Sequence, residues 1–214
     1  MEKKKMKLWK KILIVIGIIV IILLIAVIRK FVILYHLENI SKSRINSNNY
    51  YVETYSLQEN CMQIVKSYNK ENTYLTVLET ISKNTGQENQ LTIYDNGAER
   101  IGIIQTEQEK IALLDGTVVG GKISVNAYAT YGQGFWSKFQ LAMLSTITTE
   151  KINNRDCYLV ESVFGWKKWI DKETGLVIRE YNNGDITDFY HEFDVVENSD
   201  IQKPDISDCE IVDN

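Results

Sequence analysis

The chain has 214 residues, 24 Lys and Arg against 28 Asp and Glu for a net charge of −4, 44% apolar residues and three cysteines. The charge is uneven: eight basic residues face only Glu2 in the first thirty positions, so the remaining 184 carry −11. A body of that size suits one globular domain, and its acidity repels nucleic acid and anionic headgroups, which argues against nucleic-acid binding.

The first element is an uninterrupted apolar run from Ile12 to Ile28, preceded by six lysines and followed by Arg29 and Lys30. At about 1.5 Å per residue, the stretch from Trp9 to Tyr35 is roughly 39 Å long, enough to cross a hydrocarbon core with an aromatic near each interface. The lysine excess predicts a cytoplasmic N-terminus (residues 1–11), a single membrane-spanning signal-anchor (12–28), and everything beyond it outside the cytoplasm. A cleaved secretory signal is the competing reading. Around Ala26 no small residue stands two positions before another, and no cysteine follows the run to accept a lipid. The wealth of Ile, Lys and Asn suggests an AT-rich genome, and with it the cell membrane of a Gram-positive bacterium.

Residues 29–49 read as a helix emerging from the bilayer. Leu34, Leu37, Ile40 and Ile45 form a stripe that should pack on the following domain before a break near Ser47-Asn48-Asn49. From Tyr50 the pattern is short segments rich in Tyr, Val, Ile and Thr, bounded by Asn, Gly and Asp, which predicts about ten strands in residues 50–214. Those of the first half are residues 50–58, 61–69, 73–82, 90–94, 99–105 and 110–114. Asn96-Gly97 and Asn183-Gly184 predict tight hairpins, because both residue types tolerate positive φ, so neighbouring strands should run antiparallel. A longer turn at Asp171 to Gly175 predicts a third.

One segment departs from this pattern. After Tyr131-Gly132-Gln133-Gly134, residues Phe135, Trp136, Phe139, Ala142 and Met143 recur at helical spacing. They predict a helix from about Ser137 whose aromatic face covers one face of the sheet. Phe135, Trp136, Phe139 and Met143 are candidate walls of an apolar hollow, with Gly132 and Gly134 as hinges of a lid; ordinary core packing is the plainer reading. In Trp166-Lys167-Lys168-Trp169 the two indoles fall on alternate positions, so at least one should face outward as a possible contact surface.

Cys61, Cys157 and Cys209 fall on the exterior side, where a disulfide is permitted, and the odd count leaves at least one thiol unpaired. A Cys157–Cys209 bridge would close a loop of about 50 residues, contributing about 4 kcal/mol. Three buried thiols are the alternative.

The C-terminal third contains Cys157-Tyr158-Leu159-Val160-Glu161, then Lys168-Trp169-Ile170-Asp171-Lys172-Glu173-Thr174-Gly175-Leu176-Val177-Ile178-Arg179, then Phe193-Asp194-Val195-Val196. This resembles the LolA-like superfamily, which includes LolA and RseB-type proteins, where a strand ending in an aromatic and Asp turns through Thr-Gly into an apolar strand. The resemblance covers about 45 residues. It implies a mainly β fold: a curved antiparallel half-barrel with packed helices and an apolar hollow that binds lipid in the carriers. Two departures restrict the likeness to the fold. The run Ile12 to Ile28 ties this chain to one bilayer, which argues against ferrying between membranes. The shared hairpin is structural, so no ligand contact carries over.

Chemistry by the chain itself has little support. His36 lies in the membrane-proximal extension, and His191 alternates with Phe189, Phe193 and Val195 as a strand histidine would. Gly116 to Ile123 mimics a phosphate loop, but Ile123 replaces the hydroxyl residue that would hold magnesium. The late carboxylates, Asp185 to Asp208, lack calcium-loop spacing and read as a solvated surface. Asn39-Ile40-Ser41 is a formal glycosylation acceptor without weight here. No catalytic residue, metal or cofactor is assigned. The reading is a tethered binding module holding an acyl chain, lipopeptide or lipoprotein, the alternative being an envelope protein-interaction or sensing module with a closed core; hydrolysis is the weakest.

Overall fold

In the computed structural model, which describes residues 2–114, 120–126 and 134–212, with side chains from Leu8, one long helix leads into a single curved sheet. Helix α1 (Glu2–Ile45) is followed by β1 (Asn49–Leu57), β2 (Cys61–Lys70), β3 (Thr73–Ser82), β4 (Glu88–Asp95), β5 (Arg100–Gln105) and β6 (Lys110–Leu114). Then come α2 (Phe135–Leu144), β7 (Ser145–Ile152), β8 (Arg155–Ser162), β9 (Lys167–Asp171), β10 (Val177–Asn182), β11 (Asp185–Phe193) and β12 (Glu210–Val212). The strands form one sheet in the order β12-β6-β5-β4-β3-β2-β1-β11-β10-β9-β8-β7. Two meanders, β1–β6 and β7–β11, are joined where β1 pairs with β11, Tyr50 opposite Phe193.

The six strands of the first half lie within two residues of the predicted spans, because alternating apolar and polar positions specify a half-buried pleat directly. Twelve strands replace the expected ten, and β12 pairs parallel with β6, so the sheet is mixed. Asn183-Gly184 makes the two-residue turn, with φ of 51° and 98° and Asn182 opposite Asp185. The Asn96-Gly97 hairpin forms with a longer loop: Asp95 pairs with Arg100, leaving residues 96–99 between them. Asn96 and Asp95 side chains accept the loop's backbone N–H groups instead.

Residues Leu8–Ile45 of α1 are long and apolar enough to cross a membrane. The helix runs unbroken through the segment read as an extension, and one face of its last third is core. Leu34 and Leu37 are 0% exposed, packed with Ala142 of α2 and Val160, Ile170 and Val177 of the sheet. Ile45 joins Tyr50, Val52, Val125 and Leu176 in a second cluster. Farther along the sheet, Tyr94, Ile101 and Ile103 are covered by Ile206 and Cys209.

The three cysteines are free thiols. Cys157 sits in β8 and Cys209 just ahead of β12, near opposite ends of the strand order, so the bridge expected from their compartment does not form. Cys157 is instead buried with its thiol donating to Arg155 O, and Cys209 packs against the Tyr94, Ile101 and Ile103 cluster.

The Thr-Gly turn of the hairpin is where the sheet meets α1. Asp171 Oδ1 accepts the backbone N–H groups of Glu173 and Thr174 at 2.8 and 2.9 Å, closing the turn. Gly175 has φ of 69°, and a Cβ there would stand 2.7 Å from Ser41 Cβ and 2.8 Å from Leu37 O. Both a left-handed residue and a bare Cα are required for the helix to approach so closely. Gly175→Ala is expected to destabilise the full chain by about 2–4 kcal/mol, from backbone strain plus overpacking. Thermal unfolding in detergent followed by circular dichroism measures this; an unchanged midpoint would show that the contact is dispensable.

Candidate functional site

Helix α2 lies against residues 30 to 38 of α1. Phe31 and Phe135 rings are 5.2 Å apart, Lys30 Nζ donates to Ser145 O at 2.6 Å, and Lys138 pairs with Glu38. Both members of that ion pair are buried, and Glu38 is also met by Lys42 at 3.1 Å from one turn along α1. The side of α2 that is buried therefore carries Lys138 and Ala142, not the aromatics. This corrects the expected orientation: Phe135, Trp136 and Met143 are exposed and Phe139 half-buried, because α1 occupies the place that the sheet was expected to take. Gly134 caps the start of α2, while the second hinge position, Gly132, lies outside the described residues.

The hollow exists, with other walls. Between α2 and strands β8, β9 and β10 is an open cavity of about 420 Å³. From α2 it is lined by Ser137, Gln140, Leu141 and Leu144, and from the sheet chiefly by Val160, Trp166 and Ile170. Its volume falls in the usual range for small-molecule sites, about 300–1,000 Å³. Depressions of about 400 and 410 Å³ lie elsewhere. The first is lined mainly by Glu79, Glu88, Asn89 and Gln105, and the second mixes Tyr55, Ile178, Phe189 and Tyr190 with Glu53, Arg155 and Asp188, so neither is as predominantly apolar as the hollow.

One polar pair marks the cavity: Lys168 Nζ lies 3.4 Å from Glu180, and both line it. Burial pushes the Lys168 ammonium below its ordinary pKa, with Glu180 opposing that shift. The indole of Trp166 lies beneath the same ammonium, 5.8 Å from it. Trp169, on the alternate position, points to the other face, where its Nε1 donates to Glu150. One indole thus faces the hollow and one the outside, as strand alternation requires. Lys168 and Glu180 were missed in the sequence; the period-two relation among Trp166, Lys168 and Ile170 could have placed Lys168 inside.

His191 is a buried strand histidine whose Nε2 is already engaged. It is 8% exposed, and its Nε2 accepts the backbone N–H of Asn126 at 3.1 Å, while Asn126 O accepts from Val177 N at 2.9 Å. The ring thereby fastens residues 120–126 across the sheet. This segment includes Gly120 to Ile123 of the phosphate-loop mimic, with Tyr50 OH donating to Ile123 O at 3.3 Å; residues 115–119 lie outside the described part. Among the described residues no group of three or more His, Cys, Asp or Glu could hold a metal.

The architecture is an open, curved sheet with one face partly covered by the end of a long apolar helix and a short helix laid against it, with a hollow beside the short one. No family model matches the chain, and no curated protein matches it. Among solved structures it is similar to MucB, crystallised in complex with MucA(peri), at 11% identity and a TM-score of 0.36. The likeness covers 82% of this chain and 60% of that one, so the match spans less than two thirds of that protein's length.

Two outcomes test this geometry. Burial, with help from the Arg155 charge, pushes the His191 pKa down to about 4 from 6.5. The neutral ring's contribution is complete above pH 6.5 and is lost as pH falls toward 4, since only the unfolded chain takes up the proton there. The total is about 3 kcal/mol, and His191→Gln should flatten that part of a stability-versus-pH curve. Separately, Lys138→Met leaves Glu38 buried with Lys42 alone and should cost about 2–4 kcal/mol, whereas the double change with Glu38→Met should recover most of it. A double-mutant cycle of unfolding free energies reads both.

Proposed function

We propose that the protein is a membrane-tethered extracytoplasmic binding module whose hollow holds an apolar ligand, such as an acyl chain or the lipid of a lipopeptide or lipoprotein. In this reading residues 12–28 cross the bilayer, residues 1–11 lie in the cytoplasm, and everything from residue 29 onward lies outside. The carrying observation is the cavity between α2 and β8–β10, with an apolar wall of Leu141, Leu144, Val160, Trp166 and Ile170. Apolar walls select for hydrocarbon, and the Lys168–Glu180 pair offers a carboxylate or amide headgroup a place to bond. The hairpin's resemblance to the LolA-like superfamily agrees with this reading.

The test is binding of a fluorescent long-chain fatty acid to the full chain in detergent, with native mass spectrometry for co-purified lipid. Leu141→Trp, which fills the hollow, should weaken binding about tenfold. Trp169→Phe, on the opposite face, should leave it unchanged. If no saturable binding occurs and no lipid co-purifies, the hollow is not a ligand site, and the protein is a closed interaction or sensing module whose partner must be sought.

A further inference from the structure

Exposed apolar side chains outside α1 include Leu57, Ile186, Tyr190, Val195 and Ile211, but the most exposed of them, with Leu144 beside them, gather in one region. On α2 they are Phe135, Trp136, Met143 and Leu144, with Trp136 71% exposed; in the turn between β8 and β9 they are Val163 and Phe164, the latter 76% exposed. The two groups belong to one edge, since Val163 N donates to Leu144 O at 2.9 Å. Such a concentration of Phe, Trp, Leu and Met on a chain otherwise rich in surface carboxylates marks a contact surface.

The position of this edge identifies its occupant. Phe135 packs on Phe31, and the end of α2 is fastened to Lys30 through Ser145 O. Lys30 and Phe31 follow the apolar run that ends at Ile28 by two and three residues, only about 3–5 Å along a helix axis. A bilayer crossed by residues 12–28 would therefore have its headgroup boundary at the level of α2. Aromatic and long apolar side chains collect at that depth, where one end of the ring is wet and the other is in hydrocarbon. The acidic domain supplies no electrostatic attraction to a membrane, so any attachment there must come from apolar insertion.

We propose that α2 and the β8–β9 turn are a bilayer-docking edge, inserting Phe135, Trp136, Met143, Leu144, Val163 and Phe164 into the interface of the membrane that α1 crosses. The proposal rests on the reading that residues 12–28 span a bilayer. Leu144 and Phe164 line the hollow as well as this edge, so the hollow opens at the lipid surface. An acyl chain then reaches Leu141 and Trp166 from the membrane without crossing water.

The test places the full chain in phosphatidylcholine nanodiscs containing lipid brominated on the upper acyl carbons, and reads quenching of tryptophan fluorescence. Of the four indoles, Trp9 reports on the anchor and Trp136 on the edge, while Trp166 and Trp169 are constant in every variant. Trp136→Phe should remove the edge's share of the quenched intensity and Trp9→Phe the anchor's, and any quenching that survives both reports an acyl chain against Trp166 in the hollow. Val163→Asp combined with Phe164→Asp should lift the edge and lower the quenching of Trp136 while sparing Trp9. If Trp9→Phe abolishes quenching and Trp136→Phe leaves it unchanged, the chain is anchored but the edge stands off the bilayer, free or covered by a second copy, and the proposal is overturned. If neither indole is quenched, α1 does not span the membrane, and the tethering reading fails with it.

Discussion

The fold depends on the burial of Leu34 and Leu37, which are fully enclosed although they belong to the same helix as a stretch of some twenty exposed apolar residues. A curved sheet of this length has a concave face that must be covered, and α2 with ten residues is too short to do so alone. The last third of α1 completes the cover. Gly175 permits that helix to lie within van der Waals distance of the hairpin turn, and the Glu38–Lys138 pair fixes α2 against it. The hollow beside α2 depends on this arrangement, because α2 is held by α1 and only one side of it is left to face β8–β10.

The fold and the site depend on each other through charge as well as packing. A lysine and a glutamate buried between two helices cost much desolvation and gain little over a hydrophobic pair of the same shape. Their contribution is a unique rotation of α2. With Lys138 inward, Leu141 and Leu144 line the cavity while Trp136 and Phe135 point away from it. A leucine at position 138 would satisfy burial in several rotations about the helix axis, whereas the ion pair accepts one.

Much of this was legible in the sequence and some was not, for physical reasons. Strand positions followed from alternation, and the long helix from an apolar run that no soluble element requires. The hairpin at Asp171 to Gly175 followed from turn chemistry, and the stripe Leu34, Leu37, Ile40 from helical spacing. The orientation of α2 did not, because periodicity shows that a helix has an apolar face without showing what that face meets. Its buried lysine is satisfied by a glutamate 100 residues away, a pairing that no local pattern carries. The cavity walls were misassigned for the same reason, Trp166 being the one tryptophan of the site. Cys157 and Cys209 were compatible with a bridge by compartment and loop length, but the order of strands in a sheet is a global property, and it keeps them apart.

Helix α1 has no joint between its bare apolar half and the half enclosed by the sheet: it runs from Glu2 to Ile45 without a proline or a break. A linker would let the domain swing freely; a continuous helix makes it a lever. Any tilt or twist of the sheet is a tilt or twist of the apolar segment as well, because both are fixed to one continuous rod. The arm can therefore pass a mechanical displacement from one end of the molecule to the other without any change of fold.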